Sequence, residues 1–94
     1  MEKYVLVRTY SAGAHVGFLE KRDGKEVVLT KARRLWYWKG AASLSELAQK
    51  GVKYPKECKF PGPVDRILLT EAIEIVDVTP EAKESIDSVP VWSA

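Results

Sequence analysis

Along the first forty residues, apolar and polar positions alternate with the short period that strands require. "KYVLVRTY", residues 3–10, is β-branched and aromatic and predicts a strand. "SAGA", 11–14, predicts a turn in which Gly13 takes positive φ. "HVGFLEKR", 15–22, predicts a second strand, weakened by Gly17. "DG", 23–24, predicts a type I′ hairpin turn into a partner strand "KEVVLT", 25–30. "ARRLWYW", 32–38, reads as a fourth strand of the same antiparallel meander. The period then changes. Ser43 with Glu46 forms a capping box, and Gly51 is a good residue to follow a helix, so a short helix is predicted over about 44–50.

"YPKECKFPGP", 54–63, is rich in proline and predicts an irregular connection. "RILLTEAIEIVDV", 66–78, predicts one long strand. Thr79-Pro80 opens a short helix over about 80–87, and "VPVWSA" closes the chain as an extended tail. The pattern shows no repeat or linker. The predicted fold class is α+β: a small antiparallel β-sheet of about five strands with one or two short helices, forming a single domain over residues 1–94.

Composition narrows the function classes. A chain of 94 residues buries only a modest core, so a homo-oligomer is expected. The net charge of +2 is too small to announce duplex binding. Its distribution is uneven. Residues 1–40 hold nine basic against four acidic side chains, net +5, and residues 41–94 hold six against nine, net −3. That asymmetry points to an anionic ligand or to one half docking on a neighbouring subunit. The single cysteine, Cys58, allows no internal disulfide and fits a cytoplasmic protein. No secretory signal is expected, because Met1-Glu2-Lys3 leads straight into a strand, and no apolar run is long enough to span a membrane.

Catalytic chemistry is sparsely provided for. His15 and Cys58 are the only histidine and cysteine, too few for a zinc site. A lone strand histidine reads more readily as structural or binding than as catalytic, and a Cys58–His15 nucleophile pair has no orienting motif. Glu71, Glu74, Asp77 and Glu81 match no calcium loop and read as a solvated edge. The expectation is therefore a non-enzyme with no metal and no cofactor.

Binding chemistry is better represented. On strand period Ala32, Arg34, Trp36 and Trp38 share one face, and Arg33, Leu35 and Tyr37 share the other. Either an arginine–aromatic wall meets a flat anion, or the indoles are core and Arg34 reaches past them to water. Arg8 precedes the polar turn containing Tyr10 and Ser11. It can pair with a phosphate or with an acidic residue from the C-terminal half. "SAGAHVG" can form an anion nest or a plain hairpin turn. The helix start at Ala42-Ser43 offers free N–H groups to an anion.

Three blocks, "VRTYSAGAHVGFLEKRDGKEVVLTKARRLWYWKGAASLSELAQKGV", "KECKFPGPVDRILLTEAIEI" and "VPVWSA", resemble a family of small phage-encoded proteins of unknown function. Small oligomeric phage proteins of this kind include anti-CBASS sponges, which hold cyclic nucleotide immune signals without turning them over. The resemblance implies a cyclic oligonucleotide ligand, with a cyclic dinucleotide first, in the cytoplasm of an infected bacterial cell. The residues themselves suggest how it would be held. Arg8, Arg33 and Arg34 would meet phosphates with Ala42 and Ser43. Tyr10, Trp36, Tyr37 and Trp38 would stack on bases. Ser11 and His15 would complete the site. The other expectation is a protein-interaction module that inhibits a host factor.

Overall fold

A computed structural model describes residues 2–93; Met1 and Ala94, the ends of the predicted domain and tail, lie outside it. The elements run β1 (Tyr4–Thr9), β2 (Ala14–Asp23), β3 (Glu26–Leu35), α1 (Leu44–Lys50), β4 (Val64–Leu69), β5 (Ala72–Asp77) and α2 (Pro80–Asp87), with one 3₁₀ turn at Pro55–Glu57. All five strands form one antiparallel sheet in the order β4-β3-β2-β1-β5. With its two short helices, this is the predicted α+β class.

Three predicted boundaries change. The third and fourth predicted strands are one strand, β3, and residues 36–38 leave the sheet apart from an isolated bridge between Tyr37 and Lys59. Conversely, the long strand predicted over 66–78 is two. Thr70 and Glu71 break it, so that β4 pairs with β3 and β5 pairs with β1. The β2–β3 turn centres on Gly24-Lys25, with only Gly24 at positive φ (59°). That is the II′ pattern rather than I′.

The break between β4 and β5 closes the sheet. Leu69 pairs with Val27 at one edge and Ala72 pairs with Thr9 at the other. Three residues span at most about 11 Å. The two edges therefore meet at that end, and the sheet is curled into a partial barrel. A curled sheet has an inside and an outside, and both are apolar here. Val5, Val7, Val27, Leu29, Ala32 and Leu69 fill the inside. Leu6, Val16 and Leu35 face outward under α1 and α2, against Leu47, Phe60, Ala82 and Ile86. This explains why "VLV" in β1 is apolar at consecutive positions rather than alternating.

A bulge sets the phase of β3. Phe18 pairs with Thr30 and Val16 with Arg33, so two steps on β2 face three on β3. Lys31 takes up the extra residue in a left-handed conformation, φ 49°. Val27 and Leu29 point inward before the bulge, and Ala32 does so after it. The shift turns Arg33 outward, toward the helices. Opposite the bulge stands Gly17, where a Cβ would lie 3.0 Å from the Thr30 carbonyl oxygen. The glycine that weakens the strand in sequence is what lets the two strands close here.

Candidate functional site

The predicted site residues fall into four separate places. Arg8 sits opposite Glu74 across the β1–β5 pairing and donates from Nε to its carboxylate at 3.0 Å. The C-terminal acidic partner, one of the two readings of Arg8, is therefore present. Nearby, Tyr10 is 78% exposed and Ser11 Oγ donates to Glu71 at 2.6 Å. Two carboxylates at this corner oppose an anionic ligand. Two of the turn's N–H groups are engaged: Ala12 N–H donates to Thr9 Oγ1 and Tyr10 N–H to the Glu71 carbonyl. The segment is a closed hairpin turn.

At the second place, the start of α1, the capping box forms as its spacing requires. Ser43 Oγ accepts from Glu46 N–H at 3.1 Å, and the Glu46 carboxylate accepts from Ala42 N–H at 3.1 Å. The helix thus supplies its own anion, which takes up the Ala42 N–H.

The third place is the interior, and there Arg33 is corrected. Its guanidinium is 7% exposed and donates to five carbonyls. Nε reaches Pro61 at 2.9 Å and Nη1 reaches Ile86 at 3.0 Å. Nη2 reaches Phe60 at 3.1 Å, Val89 at 2.8 Å and Pro90 at 3.2 Å. The charge also lies over the Phe60 ring. Burial lowers its pKa from the ordinary arginine value, and Tyr4 and Asp87 oppose that shift. Arg33 ties β3 to the end of α2 and to the C-terminal segment. Its three nitrogens are engaged inside the protein rather than presented to a phosphate.

Trp38 also moves away from its predicted face. It packs half-buried against the helix-side core, because β3 ends at Leu35 and the alternation stops there. Cys58 is buried in that same core. Its thiol lies near Lys39 N and the carbonyls of Lys39 and Tyr54, and no hydrogen bond joins it to His15. Among the described residues, no three His, Cys, Asp or Glu side chains come together as a metal-binding group.

The remaining residues do converge, at the fourth place. Trp36, 57% exposed, stacks on Trp92 with ring centroids 5.0 Å apart and planes 4° from parallel. The Lys59 ammonium stands over three rings: Trp36 at 5.4 Å, Tyr37 at 5.9 Å and Trp92 at 5.9 Å. Lys59 is held there by the bridge to Tyr37. Trp92 is held by its N–H donating to the Phe60 carbonyl at 3.0 Å. Arg34, two residues before Trp36, is exposed and makes no hydrogen bond or salt bridge among the described residues.

Arg34 also rims a pocket of about 210 Å³ at the open end of the curled sheet. Ala32, Pro61, Gly62, Val64 and Ile67 form its walls. His15, which pairs with Arg34 across β2 and β3, forms its polar end. His15 is 1% exposed. Burial lowers its pKa, the hydrogen bond to Ala12 opposes this, and the Arg34 charge adds to the lowering. It is therefore a neutral imidazole at pH 7.

A family model described as Domain of unknown function (DUF6948) matches residues 2–86. The chain belongs to that family. No curated protein and no solved structure matches it. Trp92 lies beyond the matched span, yet it supplies half of the stacked indole pair.

Two members of this patch, Lys59 and Trp92, are not among the residues the sequence singles out. Lys59 looks like one lysine in a proline-rich loop, and only the Tyr37 bridge brings it under the rings. Trp92 has a weak sequence signal. "VPVW" is an apolar run at a polar terminus, which suggests docking rather than a free tail.

Proposed function

We propose that the protein binds a small nucleotide, a cyclic dinucleotide first among the candidates, and sequesters it without cleaving it. The observation that carries this reading is the exposed Trp36–Trp92 stack with Tyr37 around Lys59, beside the uncommitted Arg34. Flat exposed rings stack on bases with little regard to sequence, and cations beside them meet phosphates. A neutral, buried histidine suits binding better than turnover. The resemblance to small phage proteins adds the setting, an anti-CBASS role in the cytoplasm of an infected bacterium.

Calorimetry against cyclic dinucleotides, cyclic trinucleotides and linear nucleotides tests the reading. The expected result is a dissociation constant of about 1 µM or below for one class, with the ligand recovered intact after heating. No heat at protein concentrations of tens of micromolar contradicts sequestration, and a cleaved product contradicts the non-enzymatic part.

The reading includes a homo-oligomer. Val64 and Leu68 on β4 and Ile73 on β5 are exposed apolar side chains on the two outer strands, a surface suited to a second copy. Light scattering after gel filtration decides this, and a monomer mass at 100 µM contradicts it. A second functional reading, a module that inhibits a host protein, draws on Val91. At 62% exposed, it extends the aromatic patch with aliphatic surface that a base does not need. Capture of one stoichiometric host protein, with no nucleotide released on denaturation, favours that reading.

A further inference from the structure

The pocket behind Arg34 has a polarity that the aromatic patch lacks. His15 Nε2 lies 3.0 Å from the Ala12 carbonyl oxygen. A carbonyl only accepts, so Nε2 carries the hydrogen and Nδ1 of the neutral ring carries a lone pair. Among the described residues Nδ1 has no hydrogen-bond partner, and no unpaired polar side-chain atom is fully covered. The little surface that His15 keeps is therefore the surface it contributes to the pocket. An acceptor open only toward a small pocket is placed to take a hydrogen bond from what enters that pocket. It awaits a donor from outside.

The surroundings narrow what that donor belongs to. Arg34, directly across the strand pair from His15, offers a guanidinium at the rim. The walls are aliphatic, with no aromatic ring among them. They suit a saturated ring better than a base, for which the indole pair next door is the better surface. Two features connect the pocket to that pair. Arg34 and Trp36 stand two residues apart on one extended stretch. A Cβ on Gly62, in the pocket wall, would lie 3.4 Å from Val91, the neighbour of Trp92. The ligand fragment that fits is thus a compact saturated ring bearing a hydroxyl donor next to an anionic group.

We infer that this pocket receives the ribose of the bound nucleotide, with a sugar hydroxyl donating to His15 Nδ1 and the neighbouring phosphodiester meeting Arg34. This inference rests on the nucleotide-binding reading above. It adds a selectivity: the site distinguishes ribose from deoxyribose. A phosphate oxygen placed on His15 would meet a lone pair, so the histidine reads the hydroxyl and the arginine reads the charge. A deoxyribose seated in the pocket would cover Nδ1 and offer it no donor, the arrangement by which binding sites reject analogues most strongly.

The test uses the intact protein and changes the ligand first. Calorimetry compares cyclic di-AMP and cyclic di-GMP with their bis-2′-deoxy analogues. The expected result is tighter binding of the ribose form by about 10- to 100-fold. Binding of both forms within about threefold overturns this inference and leaves nucleotide binding standing. Binding of neither form, together with no binding across the cyclic trinucleotides and linear nucleotides, removes the nucleotide reading and this inference with it. His15→Leu is the second arm, with folding checked by circular dichroism. A folded variant is expected to bind ribose and deoxyribose forms alike, and a preserved ribose preference overturns the assignment to His15. If the variant does not fold, the ligand comparison on the unaltered protein still decides.

Discussion

Replacing Arg33 with methionine keeps an apolar stem of similar length and removes five hydrogen bonds to carbonyls. Those carbonyls belong to the 60–61 segment, the end of α2 and the segment after it. The Ile86 and Phe60 carbonyls also accept the backbone N–H groups of Val89 and Trp92, so the loss falls mainly on Pro61, Val89 and Pro90. Hydrogen bonds to a charged group contribute about 1.5–3 kcal/mol each when taken singly, but the guanidinium also loses its hydration on burial. Removing the guanidinium leaves buried carbonyls short of a donor at about 1–3 kcal/mol each where no other partner remains, so a total of about 3–5 kcal/mol is expected. The whole domain, at this length, is held by only about 5–14 kcal/mol. Arg33→Met therefore removes a large share of the stability and lowers the melting temperature by about 15 °C or more. Arg33→Lys keeps the charge with three donors at one point and falls in between. Urea unfolding followed by circular dichroism measures the loss. Hydrogen exchange reads where it falls, with protection expected to drop first at the end of α2 and in residues 88–93. A loss below about 1 kcal/mol for Arg33→Met refutes the reasoning, because water would then serve the carbonyls equally well.

Three further outcomes are expected. Ser43→Ala removes the acceptor for Glu46 N–H and costs about 1 kcal/mol, measured by urea unfolding; no loss contradicts the cap. Because burial lowers the His15 pKa, the unfolded chain binds a proton near pH 6.5 while the folded chain resists it. This contribution is complete above pH 6.5 and is lost as the pH falls toward the folded value, by at most about 1.4 kcal/mol per pH unit. His15→Gln should flatten stability between pH 7.5 and 5.5 relative to the unaltered protein, and parallel curves contradict this. Arg34→Ala and Lys59→Ala should each weaken nucleotide binding by about tenfold or more while moving the melting temperature by under about 3 °C, since neither forms a salt bridge among the described residues and exposed cation–π contacts such as those of Lys59 contribute only about 0.5–1 kcal/mol. Unchanged affinity in calorimetry contradicts the placement of the site.

The parts of the fold that sequence made legible are those governed by neighbours along the chain. The Ser43–Glu46 box, the Thr79-Pro80 helix start and the first two strands depend on local periodicity and capping. What was hidden depends on long-range pairing. One bulge at Lys31 merges two predicted strands and turns Arg33 toward the helices, and its cause is Gly17 across the sheet. The break at Thr70-Glu71 arises because β4 and β5 pair with different partners, which a run like "ILLTEAIEIV" does not reveal. The site shows the same division. "ARRLWYWKG" holds three residues of the proposed patch, Arg34, Trp36 and Tyr37. Arg33 and Trp38 from the same stretch turn to the helix-side core instead, Arg33 bonding to the end of α2 and the segment after it. The stretch omits Lys59 and Trp92, which reach the patch only through the pairings at Tyr37 and Phe60.

The most direct test of a nucleotide seated on the indole pair is a proton–nitrogen spectrum recorded while cyclic di-AMP or cyclic di-GMP is added. The three tryptophan indole N–H signals and the Arg34 Nε–H signal report separately. Trp36, Trp92 and Arg34 should shift together and saturate at one stoichiometry, while half-buried Trp38 stays in place. Shifts centred on the Arg8–Tyr10 corner, or no shifts at millimolar ligand, would contradict the account.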